Sequence, residues 1–270
     1  WTHRATQENV NRLKNYGYLF IGPETGNMAC GEYGEGKMTE PENIFNYINE
    51  YFRHLERNNG FKALVTAGPT HEYIDPVRFI SNKSSGKQGY EIAESLKNNG
   101  FKTTLISGPT NLDPIDGVNL IKVNSAEEMF HKSLQCLPVD VAVFSAAVAD
   151  YKVKNKEKEK IKKKENMDLI LEKNVDILKH ISNHNSLRPK LVVGFAAETN
   201  ELRKNSLNKL SDKNCDWIIA NDVSNSEIGF NSEFNKVSIF YKNKNEEIIP
   251  KMKKSNIAKE IVNRIVSELN

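Results

Sequence analysis

Three continuous apolar runs, VDVAVFSAAVA, KLVVGFAAET and CDWIIANDV, each stop abruptly at polar residues. A strand that is apolar along its whole length, rather than at alternate positions, must be covered on both faces. That requirement selects a mostly parallel sheet sandwiched by helices. The segments around the runs agree. KALVTA, FKTTLISG and VNLIKV read as strands, and YEIAESLKNNG reads as a helix closed by Gly100. Ser125-Ala-Glu-Glu has the form of a capping box opening a helix through Leu137. NKVSIFYKN and EEIIPK read as a late antiparallel addition, and SNIAKEIVNRIVSEL as a closing helix. The fold expected is α/β. Ligands in such sheets bind beyond the carboxyl ends of the strands. Gly68–Thr70, Ala149–Tyr151 and Glu198–Thr199 all fall there.

Residues 1–58 have a different texture. ATQENVNRLKNYG predicts an amphipathic helix with Val10, Leu13 and Tyr16 on one face, ended by Gly17. YLFIG reads as a short buried strand. The stretch from Pro23 to Ile44 has four closely spaced glycines and no hydrophobic period, so it reads as a loop or flap. Pro41 then opens a helix, and the polar segment Arg53–Gly60 reads as a domain boundary. No apolar run approaches the roughly 20 residues that span a bilayer, and the polar N-terminus has no signal-peptide pattern. With 38 basic and 35 acidic residues, the net charge of +3 does not point to nucleic acid. Three well-separated cysteines suggest a reducing, cytoplasmic setting without a disulfide framework. Cys136 and Cys215 are expected to be core thiols.

The most informative stretch is VTAGPTHEYIDPVRFISNKSSGKQG, from Val65 to Gly89. It links a strand to a helix and is too polar and glycine-rich to serve core packing. Its end places backbone N–H groups, the hydroxyls of Ser84 and Ser85, and Lys87 at one helix start, which suits an anionic phosphate or carboxylate. The competing reading is an ordinary serine-capped loop. Neither the dinucleotide GxGxxG nor GxxxxGK[ST] is present, which disfavours a nicotinamide-binding oxidoreductase. A second feature is AAVADY followed by the lysine-rich run through KIKK (Lys160–Lys163). It suits closure over a triphosphate with Asp150 on a ribose or metal, or is simply a solvated face. A third is GFAAET, where small residues around Phe195 allow close approach of a ligand or merely tight packing.

Together with ANDV after CDWII, these motifs resemble the phosphopantothenate–cysteine ligase family, over residues 61–270 and in the same order. This is the synthetase half of bacterial bifunctional coenzyme A biosynthesis proteins. The resemblance implies a Rossmann-like three-layer domain over 59–270, preceded at 1–58 by the C-terminal part of an FMN-dependent decarboxylase with its clamp cysteine at Cys30. The FMN-binding core and catalytic histidine of that enzyme would lie upstream of Trp1, so no decarboxylation is expected. The implied reaction joins 4′-phosphopantothenate to L-cysteine with CTP and Mg²⁺, through an acyl-cytidylate, releasing pyrophosphate and CMP. By the same resemblance Asn82 handles the intermediate and Lys160 stabilises the phosphates. Gly68, Thr70, Ser84, Ser85, Gly86, Lys87, Ala149, Asp150, Tyr151, Lys163, Asp176 and Phe195 complete the CTP site, with Asp150 the one candidate metal ligand. A homodimer through the ligase domain is implied, and a higher oligomer with the full decarboxylase. Three positions depart from the family pattern: Gln88 in place of an apolar residue, Val175 in place of proline, and Lys37 in place of arginine. The alternative is a non-catalytic nucleotide-binding module of a larger flavoprotein.

Overall fold

The computed structural model divides into two units, Trp1–Arg57 and Asn58–Asn270. It describes residues 1–27, 31, 33–56, 60–162, 166–198, 200–222, 232–242 and 246–270. In the first unit α1 (Arg4–Asn15) starts at His3, whose ring accepts the Ala5 N–H, and ends before Gly17, which has a left-handed φ of 88°. Val10 is buried, but Leu13 and Tyr16 of the expected apolar face are exposed. Residues 18–22 form no strand, and Tyr18 and Leu19 face solvent. The glycine-rich stretch read as a loop instead contains β1 (Glu24–Asn27) and β2 (Tyr33–Lys37), paired antiparallel with Gly26 opposite Gly34. Such a ribbon is held by backbone hydrogen bonds, so it leaves no hydrophobic period to read. Cys30 lies outside the described residues. The helix α2 (Pro41–Glu56) opens on its proline as expected.

The second unit begins with β3 (Lys62–Ala67), the hairpin β4 (His71–Tyr73) and β5 (Phe79–Ser81), then α3 (Lys87–Asn98). It continues through β6 (Lys102–Ser107), β7 (Asn119–Lys122), α4 (Ala126–Gln135) and β8 (Val141–Phe144). A second hairpin, β9 (Tyr151–Val153) and β10 (Leu171–Lys173), leads to α5 (Ile177–Ser182), β11 (Leu191–Glu198) and α6 (Leu202–Lys213). The chain closes with β12 (Trp217–Asp222), β13 (Phe234–Tyr241), β14 (Glu247–Lys253) and α7 (Lys254–Leu269). Eight strands form one sheet in the order β14-β13-β12-β11-β8-β3-β6-β7. The six from β12 to β7 are parallel, and β13 and β14 are the antiparallel addition.

Both faces of the sheet are covered. Ala63, Val65 and Ala67 of β3 point to a cluster built with Ile92 and Leu96 of α3 and Ile257, Ile261 and Ile265 of α7. Leu64, one residue out of phase, points to the opposite cluster with Met129 of α4, Ile181 of α5 and Leu210 of α6. The two-residue period of a strand thus feeds two cores at once. Each fully buried Leu or Ile contributes about 1.5–3 kcal/mol. The fold is the three-layer α/β arrangement expected. Cys215 is buried among these side chains, whereas Cys136 is only partly so. Among the described residues no helix is long and apolar enough to cross a membrane.

Candidate functional site

The chain runs outward from β3 through β6 to β7, then returns to β8 on the other side of β3. The strand order therefore reverses between β3 and β8, and the crevice beyond their carboxyl ends is the ligand position in an open parallel sheet. A cleft of ≈ 860 Å³ lies there, lined by Thr66, Phe144, Phe195 and the segments 82–89, 145–151 and 173–178.

One wall is the start of α3. Ser84 Oγ accepts the Gly86 N–H at 3.2 Å, tightening the Ser-Ser-Gly turn. Gly86 is the N-cap of α3 with φ 75°, and carries no side chain to cap the first-turn N–H groups. A Cβ there would lie 2.7 Å from Thr110 Cγ2 and 3.3 Å from Gly68 N. A Cβ on Gly89 would lie 2.6 Å from that of Ala67. The glycines of SSGKQG thus serve two purposes, a left-handed cap and the close seating of α3 on the end of β3. Ser85 and Lys87 line this wall.

The segment after β8 forms the floor. The ladder ends at Phe144, five residues earlier than the apolar run does, because the chain turns off along the β3 loop. There Ser145 Oγ donates to Thr66 O at 2.7 Å and the Ala147 N–H donates to Gly68 O at 2.9 Å. The Ala149 N–H donates to the Oγ1 of fully buried Thr70 at 3.0 Å, and Asn174 Nδ2 donates to Ala149 O at 2.8 Å. Gly68 and Thr70 therefore act from behind, shaping the floor rather than lining the cleft. Asn82 Nδ2 donates to Val148 O at 2.9 Å, joining the α3 wall to the floor. Asp150 and Tyr151 line the cleft and are exposed.

The third wall carries the expected Asp176 together with two α6 lysines, Lys209 and Lys213, that no sequence motif marked. Asp176 caps α5 by accepting the Lys179 N–H at 2.9 Å, and its other carboxylate oxygen is paired with Lys213. Lys209 pairs with Glu198 at 2.7 Å, and Lys209 and Lys213 both line the cleft. They lie four residues apart on α6, so one helix face presents both. Lys254, at the start of α7, is nearly buried at the opposite wall. Burial and the nearby Lys87 hold its ammonium below the usual lysine range.

One expected residue stands apart. Lys160 is exposed and does not line the cleft, and Lys163 lies outside the described residues. Glu72 and Asp75, read as part of the polar loop, are buried away from the cleft. Glu72 accepts the Ala126 N–H at 2.9 Å and so caps α4 from the hairpin. Among the described residues no group of three or more His, Cys, Asp or Glu could hold a metal ion, so Asp150 belongs to no such cluster.

Residues 58–269 match the family model described as the DNA/pantothenate metabolism flavoprotein C-terminal domain, and residues 1–53 match the flavoprotein model. The coenzyme A biosynthesis bifunctional protein CoaBC of Haemophilus influenzae is 42% identical over 97% of this chain and 65% of its own length. The chain thus spans a little under two thirds of that relative. The crystal structure of the C-terminal domain of a CoaBC protein is 38% identical with a TM-score of 0.66, covering 78% of this chain and 96% of that one. A DNA/pantothenate metabolism flavoprotein from Streptococcus pneumoniae, 23% identical, shares the fold with a TM-score of 0.65 over 77% of this chain and 99% of its own. The chain belongs to the DNA/pantothenate metabolism flavoprotein C-terminal domain family.

Proposed function

We propose that the second unit is a CTP-dependent ligase joining 4′-phosphopantothenate to L-cysteine, a step of coenzyme A biosynthesis. The observation that carries this reading is one cleft with an uncapped helix start on one wall and a lysine pair on another, joined by a backbone floor. That arrangement suits two anionic reactants held side by side. The names of the bifunctional relatives point the same way.

In the first step a carboxylate oxygen of the acid attacks the α-phosphorus of CTP, and pyrophosphate leaves. Lys209 and Lys213, with Lys87 on the facing wall, are cleft-lining cations that can serve the triphosphate. Lys213 must exchange its carboxylate partner Asp176 for phosphate, which leaves Asp176 Oδ2 for the ribose while Oδ1 keeps the α5 cap. Lys160 reaches the phosphates only when the segment after β9 folds over the nucleotide. In the second step the amine of cysteine attacks the acyl carbon and CMP leaves, with Asn82 beside the acyl group. The Ala149 N–H is committed to Thr70 and its carbonyl accepts from Asn174, so base reading falls to that carbonyl's second lone pair and to the Tyr151 backbone. Mg²⁺ supplies charge neutralisation at the triphosphate. Asp150 fits as a single ligand to an ion held mainly by phosphate oxygens.

The test is pyrophosphate release. We expect it to require 4′-phosphopantothenate together with CTP, and to fall sharply with ATP. Nucleotide binding without pyrophosphate release would favour a non-catalytic module, and equal rates with ATP would remove base selection from the floor.

A further inference from the structure

Asp75 lies in the turn between β4 and β5, and its side chain is fully buried. Oδ1 accepts the N–H groups of Val77 and Arg78, each at 2.8 Å. Oδ2 accepts Arg78 Nη1 at 2.9 Å and, from 86 residues further along the chain, the Ile161 N–H at 3.1 Å. Arg78 Nη2 donates to the Ile161 carbonyl at 3.3 Å. Both backbone polar groups of one residue are thus held by a single aspartate–arginine pair. Two further contacts tie the same segment to the hairpin. The Glu157 N–H donates to Ile74 O at 3.0 Å, and the Lys156 ammonium stands 5.0 Å from the Tyr73 ring centre.

Burial alone would push the Asp75 carboxyl upward, but its backbone donors and Arg78 outweigh that and hold it below the usual range. A buried charge persists only when its hydrogen bonds are made, and here they are. The tether acts on an exposed, lysine-rich segment with no core to pack against. Ile161, the residue it grips, adjoins Lys160.

We propose that Asp75 is a positioning residue for the nucleotide reaction, fixing Ile161 as the pivot from which Lys160 swings to the triphosphate. This rests on the reading of the cleft as a CTP site.

Asp75→Asn separates this role from turn-building. The amide oxygen still accepts the Val77 and Arg78 backbone N–H groups, but the amide nitrogen can accept neither from Ile161 nor from Arg78 Nη1. Ile161→Pro removes the same hydrogen bond from the other side and leaves the hairpin sequence intact. Hydrogen exchange of the unliganded protein should show about tenfold faster exchange at 155–162 in Asp75→Asn, with 71–81 unchanged, as expected for a lost charge-assisted hydrogen bond. In turnover, both variants should raise the KM for CTP about tenfold and leave that for 4′-phosphopantothenate unchanged. Unchanged exchange at 155–162, or an unchanged KM for CTP in an active enzyme, overturns the proposal. So does a loss of kcat with both KM values intact. A wild-type protein without CTP turnover overturns the functional reading instead. If Asp75→Asn fails to fold, the KM for CTP of Ile161→Pro decides.

Discussion

Gly86 is the residue at which the local code of the site is most exposed. A left-handed φ costs an L side chain about 1–2 kcal/mol, and here a Cβ would also press on Thr110 and approach Gly68 N. Gly86→Ala should therefore lower stability by about 2 kcal/mol, read as a shift of the urea midpoint. An unchanged midpoint would mean that the turn relaxes freely and does not depend on its glycine. Although Thr110 and Gly68, which crowd it, are not local, the Ser-Ser-Gly turn was legible in sequence because its own hydrogen bond, from Gly86 to Ser84, is local. The pairing of Asp176 with Lys213 and of Asp75 with Ile161 was not, since 37 and 86 residues separate the partners. Only the fold brings those together. The four-residue spacing of Lys209 and Lys213 was present in the sequence, but it marks a face only once α6 is known to flank the cleft.

Elements differ in how far their sequence announces them. The buried strands were readable because two covered faces demand continuous apolar residues, while β1 and β2 were not, because backbone pairing leaves no side-chain period. Where an element is held by charge, the sequence is equally silent. Glu247, at the start of β14, accepts from Tyr241 at the end of β13 at 2.8 Å and pairs with Arg264 of α7. The Arg264 guanidinium, foremost by hydrogen bonding, lowers the Glu247 carboxyl from 4.5 to about 2, and burial pushes the Tyr241 phenol up to about 12. A carboxyl lowered by folding stabilises fully above its unfolded value and loses that contribution as pH falls through its folded one. The pair is partly exposed, so solvent screening leaves roughly 1 kcal/mol. Glu247→Gln should cost about that much at pH 7 and progressively less as the pH falls below about 4.5 toward 2. Urea unfolding at several pH values measures it, and a cost that stays constant with pH would mean the ion pair contributes nothing.

At the scale of the whole molecule, the two units are unequally furnished with core. Among the described residues of Trp1–Arg57 only Val10 and Thr39 are buried, while the second unit has two fully buried clusters, one on each face of its sheet. Stability follows buried apolar surface, and regions with little of it open at low free-energy cost. Limited proteolysis should therefore cut first within residues 1–57 and leave a resistant product beginning near residue 58. A ligand that binds only the folded second unit adds about 2.7 kcal/mol at a hundredfold excess over its Kd. CTP should thus slow the later degradation of that product without slowing the first cut. First cleavage inside the sheet would refute the ranking of the units. Equal protection of both steps would break the assignment of nucleotide binding to the second unit alone.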